Sequence, residues 1–223
     1  MGTLKLKDIC IQRKEFELRV PELQVASGAI VGICGKSGSG KSTLLKVIAG
    51  FEPFSQGEIS VDEKIISQLP PEERRVSIVF QRPALFSHLT VMENVCFGLK
   101  IKKLPPVEQK ELAMHWLKKL GISHLADRSS VGLSGGEAQR VALARSVVVG
   151  FPVLLLDEPF TGLDPELKSS ARKAILQTVE ELKTATILVT HDPEDISELA
   201  DEVYLMESGK LTRWTQTRKT DID

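Results

Sequence analysis

The sequence predicts an α/β fold with a mainly parallel sheet, a small antiparallel β layer and an inserted helical subdomain. Three observations carry that prediction. Four apolar runs, Ile30–Cys34, Val76–Phe80, Val153–Leu156 and Thr186–Thr190, have the length and density of strands covered on both faces, as parallel strands are. Three other stretches, Leu4–Ile11, Phe16–Val20 and Glu58–Asp62, roughly alternate apolar and polar residues, as antiparallel strands with one wet face do. From about residue 82 to 150 the pattern changes to helices and loops.

The composition bounds the function. The chain has 223 residues, enough for one good-sized domain with a subdomain and a real core. Its formal net charge is −1, so no overall basic field points to nucleic acid or an acidic membrane surface. Cys10, Cys34 and Cys96 are odd in number and far apart, which fits a reducing compartment rather than a disulfide framework. The longest apolar stretch, Val147–Leu156, is too short to cross a bilayer and contains Gly150 and Pro152. The start, Met1 to Lys5, has no apolar signal region. The expectation is a protein soluble and cytoplasmic by itself, which needs other chains if it works at a membrane.

In chain order, Val25–Gly28 is a turn into the strand Ile30–Cys34. The run Gly35, Lys36, Ser37, Gly38, Ser39, Gly40, Lys41, Ser42 follows, and Thr43–Ala49 continues it as a helix. The glycines let successive N–H groups point into one small volume, where the helix adds its own unpaired N–H groups and the positive end of its dipole. Lys41 reaches β- and γ-phosphate oxygens and the Ser42 hydroxyl can ligate Mg²⁺. The pattern is that of a phosphate-binding loop, the Walker A motif, and makes the core a P-loop NTPase core. A mere glycine-rich turn would not need strand, spacing and helix together.

Leu69–Arg75 reads as a turn with a charged continuation into the strand Val76–Phe80, which ends at Gln81. Glu108–Leu120 places Leu112, Ala113, Trp116, Leu117 and Leu120 on one helical face, with Gly121 as C-terminal cap; Trp116 and Met114 read as core packing. Ser134 followed by Glu137 is a capping box opening the helix that continues to Arg145. Gly135 and Gly136 weaken that first turn but let a second backbone or a phosphate come close, so it is a second anion-binding site.

The strand Val153–Leu156 runs into Asp157-Glu158-Pro159, then a loop, Thr161–Pro165, and a helix from Glu166 to Lys183. Thr186–Thr190 runs into His191; Glu194–Leu199 is helical; Glu202–Met206 is a strand, and a Ser208-Gly209 turn gives a closing hairpin. The tail Thr215–Asp223 is polar and reads as frayed.

Four buried strands thus end in polar elements: the Gly35 loop, Gln81, Asp157-Glu158 and His191. Ligands of open parallel sheets bind at the carboxyl ends of strands, so these four can meet around one ligand. Asp157 fits the carboxylate that holds Mg²⁺, directly or through water. Glu158 is placed to polarise a water attacking the γ-phosphate. Gln81 can serve both Mg²⁺ and that water. His191 can donate to the γ-phosphate or hold Glu158 and the water in line; its plainer alternative is a cap on the helical region at Glu194.

With these residues in place the sequence resembles the ATP-binding cassette family, the nucleotide-binding subunits of ABC transporters, over about Leu4 to Lys210. Leu133 to Arg140 is similar to that family's signature, with Glu137 where Gln is commoner. The resemblance implies an ATPase that uses ATP and Mg²⁺. It also implies a head-to-tail dimer with a second copy of the chain, in which Ser134, Gly135, Gly136 and Glu137 of one subunit cap the γ-phosphate held by Gly35–Ser42 and Thr43 of the other. Thr161–Asp164 resembles the loop that crosses that interface, which adds Asp164 to the nucleotide-binding set. Leu69–Arg75 and Gln81–Val95 resemble the bacterial importer branch, where the segment after the glutamine lines a groove for a short helix of the membrane partner. Leu85, Phe86 and Leu89 serve either that groove or the subdomain's own core.

The family usually stacks adenine on an aromatic residue from an early loop. Nothing aromatic lies between Met1 and Glu15, and Phe16, off that position, is the nearest candidate. The importer relatives often carry a regulatory C-terminal domain for which this chain ends too early. The implied partners are integral membrane transporter subunits and a solute-binding protein, with no nucleic acid. The implied location is the inner face of the cell membrane, held there through those subunits. Rivals are an exporter or non-transport ATPase of the same family, a small-molecule kinase and a nucleotide sensor. A kinase gives no reason for Leu133–Arg140, and intact Glu158 and His191 argue against a sensor. The transported solute is not written in this chain.

Overall fold

The structure, a computed structural model, describes residues 2–13 and 16–214. The tail from Thr215 to Asp223 lies outside the described residues. The chain divides into two compact units. One comprises the residues up to 78, residues 152–158 and those from 179 on; the other comprises residues 79–151 and 159–178.

The first unit is organised by a ten-stranded sheet. Its strands are β1 (Leu4–Arg13), β2 (Phe16–Val25), β3 (Ile30–Cys34), β4 (Gln56–Val61), β5 (Lys64–Ile65), β6 (Val76–Val79), β7 (Val153–Asp157), β8 (Ala185–Val189), β9 (Glu202–Glu207) and β10 (Lys210–Arg213). Their order is β5-β4-β1-β2-β10-β9-β3-β8-β7-β6. The alternating stretches form the antiparallel part, in which β1 pairs with β2 and β4, and β4 with β5. The apolar stretches form the parallel part, in which β3 pairs with β8 and β9, and β8 with β7. The closing hairpin is present: β9 and β10 pair antiparallel around Ser208 and Gly209, both with positive φ. The two parts are one continuous sheet, joined where Lys210 of β10 pairs in parallel with Arg19 of β2.

The alternation of β1 slips between Leu6 and Ile9, both buried, and the structure shows why. The register with β4 shifts between Lys7 and Cys10, a bulge that returns Ile9 to the core face. β7 and β8 are buried at every position, as their unbroken apolar runs require. β6 corrects the sequence reading of a buried strand: it ends the sheet order, and its residues alternate between buried and half-buried. Leu44, Leu45, Val47 and Ile48 of α1 (Lys41–Ala49) pack into the same core as Val31, Ile33, Leu155 and Ile187. The helix α6 (Pro193–Leu199) precedes β9.

The second unit is helical: α2 (Val91–Cys96), α3 (Pro106–Lys119), α4 (Gly135–Val147) and the greater part of α5 (Pro165–Leu182). Ala113, Trp116, Leu117 and Leu120 are buried as the helical face requires, but Leu112 is 40% exposed, because one turn of the expected stripe lies beyond the packed face. The fully buried Asn94 orders the segment before α2. Its amide accepts from the Phe86 N–H at 2.9 Å and donates to the carbonyls of Phe86 at 3.1 Å and Thr90 at 2.9 Å. The Phe86 ring lies 4.3 Å from that of Phe97 and under the Arg145 guanidinium at 5.2 Å, while Leu85 and Leu89 are half-buried.

Candidate functional site

Three adjacent parallel strands build the site in the first unit. Ile33 lies opposite Val189, and Val189 opposite Asp157, so the carboxyl ends of β3, β8 and β7 release Gly35, His191 and Glu158 side by side. The sheet register alone therefore gathers three of the four polar elements.

The loop after β3 turns into α1 with Gly40 as its cap and no side chain taking that role. The first helical bond runs from the Leu44 N–H to the Gly40 carbonyl at 2.9 Å, which leaves the N–H groups of Lys41, Ser42 and Thr43 without intrahelical acceptors. The buried Lys41 folds back over the loop, its Nζ donating to the carbonyls of Gly35 at 2.7 Å and Lys36 at 2.9 Å. Burial pulls its pKa below the ordinary lysine value, while Glu158 and Asp157 pull it back up. The Ser39 hydroxyl is buried within the loop and makes no hydrogen bond among the described residues. Lys36, Ser37 and Gly38 are exposed at the loop's tip. Phe16 covers the loop's end, for a Cβ on Gly40 would lie 2.9 Å from its Cζ. The sequence candidate for stacking is therefore beside the phosphate loop.

Asp157, the last residue of β7, is 7% exposed and accepts the Ser42 hydroxyl proton at 3.0 Å. Burial pushes its carboxyl above the ordinary aspartate range; the Ser42 hydrogen bond opposes this. A hydroxyl and a desolvated carboxylate that lacks full charge compensation are hard oxygen donors, so this pair fits Mg²⁺.

Glu158 takes a left-handed backbone, φ 50°, and its N–H donates to Val189 O at 2.9 Å. Its Oε1 lies 2.8 Å from His191 Nδ1, with side-chain exposures of 13% for Glu158 and 71% for His191. One carboxylate oxygen is thus fixed by an imidazole whose other edge faces solvent. The cap of α6 is Asp192, which accepts from the Glu194 N–H at 3.0 Å, so His191 is not spent on that role. Burial pushes the nearby Cys34 thiol up to about 11, so it stays protonated at neutral pH.

The remaining candidates belong to the second unit. Gln81 is exposed, just past the end of β6. Ser134 and Glu137 form the expected capping box: the Ser134 N–H donates to Glu137 Oε2 at 2.7 Å, and the Glu137 N–H to Ser134 Oγ at 3.3 Å. The bond from the Ser134 N–H, with the Ser134 hydroxyl, holds the Glu137 carboxyl below its ordinary range. The two glycines differ. Gly135 has open space where a Cβ would stand, whereas a Cβ on Gly136 would meet Leu163 Cδ2 at 2.7 Å. At Gly136 one close approach is thus made by a side chain of the same unit. Asp164 Oδ1 accepts the Leu167 N–H at 3.0 Å and so caps the start of α5.

Two supports escaped the sequence reading. Thr190 Oγ1 donates to Asp195 at 2.9 Å and accepts the Asp192 N–H at 3.0 Å, which stiffens the turn carrying His191; the Thr-x-x-x-x-Asp spacing was the available signal. The Gly209 N–H donates to Ser39 O at 2.9 Å, a tie from the β9–β10 turn that no local pattern announces.

The family model described as ABC transporter matches residues 18–161. A sulfate/thiosulfate import ATP-binding protein of Synechocystis is 42% identical over 89% of this chain and 54% of its own length. A spermidine/putrescine import ATP-binding protein of Vibrio cholerae is 42% identical over 85% of this chain and 50% of its own. A probable sulfate/thiosulfate import ATP-binding protein of Chlorella vulgaris is 42% identical over 85% of this chain and 80% of its own. The chain thus spans about half the length of the first two and most of the third. The solved ADP conformation of an ATP-binding cassette of an ABC transporter superposes with a TM-score of 0.82 at 27% identity, over 95% of this chain and 90% of that one.

Proposed function

This chain belongs to the ABC transporter family of ATP-binding domains, and on that premise we propose that it binds ATP with Mg²⁺, hydrolyses it, and so powers import of a solute through membrane partner subunits. The import ATP-binding proteins among its relatives support the direction; the solute differs between them and is left open. No helix of the described residues is long and apolar enough to cross a membrane.

The observation that carries the reading is the pair of contacts at adjacent strand ends, Ser42 to Asp157 at 3.0 Å and Glu158 to His191 at 2.8 Å. The free N–H groups at the start of α1 and the Lys41 ammonium bind phosphate oxygens. Ser42 and Asp157 would hold Mg²⁺, which when bound offsets phosphate charge. Glu158 orients a water and takes its proton. His191, anchored to Glu158, keeps that carboxylate aimed and offers its exposed edge to the phosphate end. Phe16 gives the base a face to stack on. We further propose that two copies close head to tail, with Ser134, Gly135, Gly136, Glu137 and Asp164 of one completing the site of the other, and Gln81 meeting Mg²⁺ and the water. A solute-binding protein completes the proposed importer.

The deciding experiment is Glu158→Gln. It should keep MgATP binding and stabilise a nucleotide-bound dimer while removing most phosphate release; undiminished hydrolysis would overturn the assignment. Release of phosphate without any acceptor separates this reading from a kinase.

A further inference from the structure

Arg74 is a cation that the proposed chemistry leaves unused, and the sequence shows it only as part of the charged stretch Glu72-Glu73-Arg74-Arg75. In the structure it is 6% exposed. Its guanidinium spends all three nitrogens on main-chain carbonyls. Nε donates to Leu69 O and Nη2 to Ser67 O, each at 2.8 Å, while Nη1 donates to Val47 O at 2.8 Å and Ile48 O at 3.1 Å. Val47 and Ile48 lie in the last turn of α1, the helix whose first residues are Lys41 and Ser42. The helix stops at Gly50, with φ 87°, and a Cβ on Gly50 would lie 2.6 Å from Arg74 Nε. A glycine at that stop is thus what admits the guanidinium.

A helix end leaves carbonyls without partners, and a cation there also meets the negative end of the dipole. A solvent-facing lysine could supply the charge. Four bonds in a rigid planar fork, two to the helix and two to the 67–69 turn, do something a lysine cannot. They fix where the helix stands along its axis and how it is rotated about it. Phosphate recognition at the other end depends on that setting, because amide donors and the Lys41 ammonium must meet the oxygens within a few tenths of an ångström.

The geometry points to Arg74 as a positioning residue for nucleotide binding, acting through α1 from the end opposite the phosphates. The inference rests on the reading of Gly35–Ser42 as the ATP phosphate site. Because Arg74 touches neither the loop nor Glu158, its loss should raise Kd and KM and leave kcat nearly alone. Arg74→Lys keeps the charge and loses the fork, so it should resemble the neutral Arg74→Met rather than the wild type.

The test measures MgATP binding and steady-state hydrolysis for the wild type, Arg74→Lys, Arg74→Met and Gly50→Ala. Leu6→Ala, a core truncation in β1, serves as a control for general destabilisation. All are compared at a temperature where each is folded by circular dichroism. Expected are a Kd and KM raised roughly ten- to a hundredfold in the Arg74 variants, a kcat within about twofold, and wild-type Kd in Leu6→Ala. Gly50→Ala displaces the guanidinium without removing it and should show the same split, which keeps the test open if Arg74→Met does not fold. Unchanged Kd in Arg74→Lys and Gly50→Ala overturns the inference, as does a loss matched by Leu6→Ala. Failure of the wild type to bind MgATP would instead overturn the phosphate-site reading.

Discussion

Glu158 and His191 are 33 residues apart in sequence and 2.8 Å apart in space, Oε1 to Nδ1. The sheet causes this: Asp157 of β7 pairs with Val189 of β8, so the residues that follow each strand leave from the same edge. The bond restrains the terminal torsions of the carboxylate. His191→Ala should therefore lower kcat about ten- to a hundredfold with little change in KM. Adding His191→Ala to Glu158→Gln should cost almost nothing more, since His191 acts on that step through Glu158. Additive losses in the double variant would mean that the two side chains work independently.

Asp157 gives a pH-dependent prediction. Burial holds its carboxyl above the ordinary range, so the folded state keeps that proton more tightly than the unfolded chain does. Stability contributed by this group is therefore present below the unfolded aspartate value. It is lost as pH rises to the raised folded value, and stays lost above it. Asp157→Asn removes the titration and keeps an acceptor for Ser42. Without nucleotide or divalent cation it should gain about 1 kcal/mol at neutral pH, and the gain should vanish near pH 3.5, below the ordinary aspartate value of ~3.9. Urea unfolding at both pH values measures it; equal gains at both would show that carboxylate desolvation is not the cause. ATP hydrolysis by this variant should be largely lost.

Gly136 and Leu163 make a packing prediction. Gly136→Ala places a methyl 2.7 Å from Leu163 Cδ2, an overpacking worth about 1–3 kcal/mol. Gly135→Ala, facing open space, should cost little in the isolated chain. Leu163→Ala should relieve the Gly136→Ala strain, so a double-mutant cycle read by thermal unfolding should give a favourable coupling. Strict additivity would contradict the contact.

The proposed pairing of copies predicts the behaviour of mixtures. Lys41→Ala disables the phosphate loop and Ser134→Arg the opposing helix start. A heterodimer of the two carries both lesions in one composite site and leaves the other intact. Mixing the two inactive proteins should thus restore up to about a quarter of wild-type activity, from half the dimers with half their sites. No recovery, or wild-type turnover by a demonstrable monomer, would count against shared sites.

Most of the sheet could be read from the sequence because period-two alternation and unbroken apolar runs are local signals. The ends of Ile30–Cys34, Val153–Asp157 and Ala185–Val189 then had to carry the polar residues. What escaped was non-local. Nothing near Val76 says that it lies at a sheet edge, because edge and centre differ only in what comes to pair. The Leu112 stripe is one turn too wide because a helical period gives a face but not the width of its partner. Arg74 reads in the sequence only as part of a charged turn because its acceptors are backbone carbonyls, which every sequence has and none displays. Leu163, 27 positions from Gly136 in the chain, fills the space that a side chain there would need, and no local pattern announces that contact.

The left-handed backbone of Glu158 sets stability against turnover. A side chain with a Cβ is disfavoured at φ 50°, where Gly or Asn sits at ease. Under the proposed chemistry, glutamate at that position therefore gives up backbone comfort for turnover. If the proposal holds, Glu158→Gly should make the fold sturdier in the same step that silences the site.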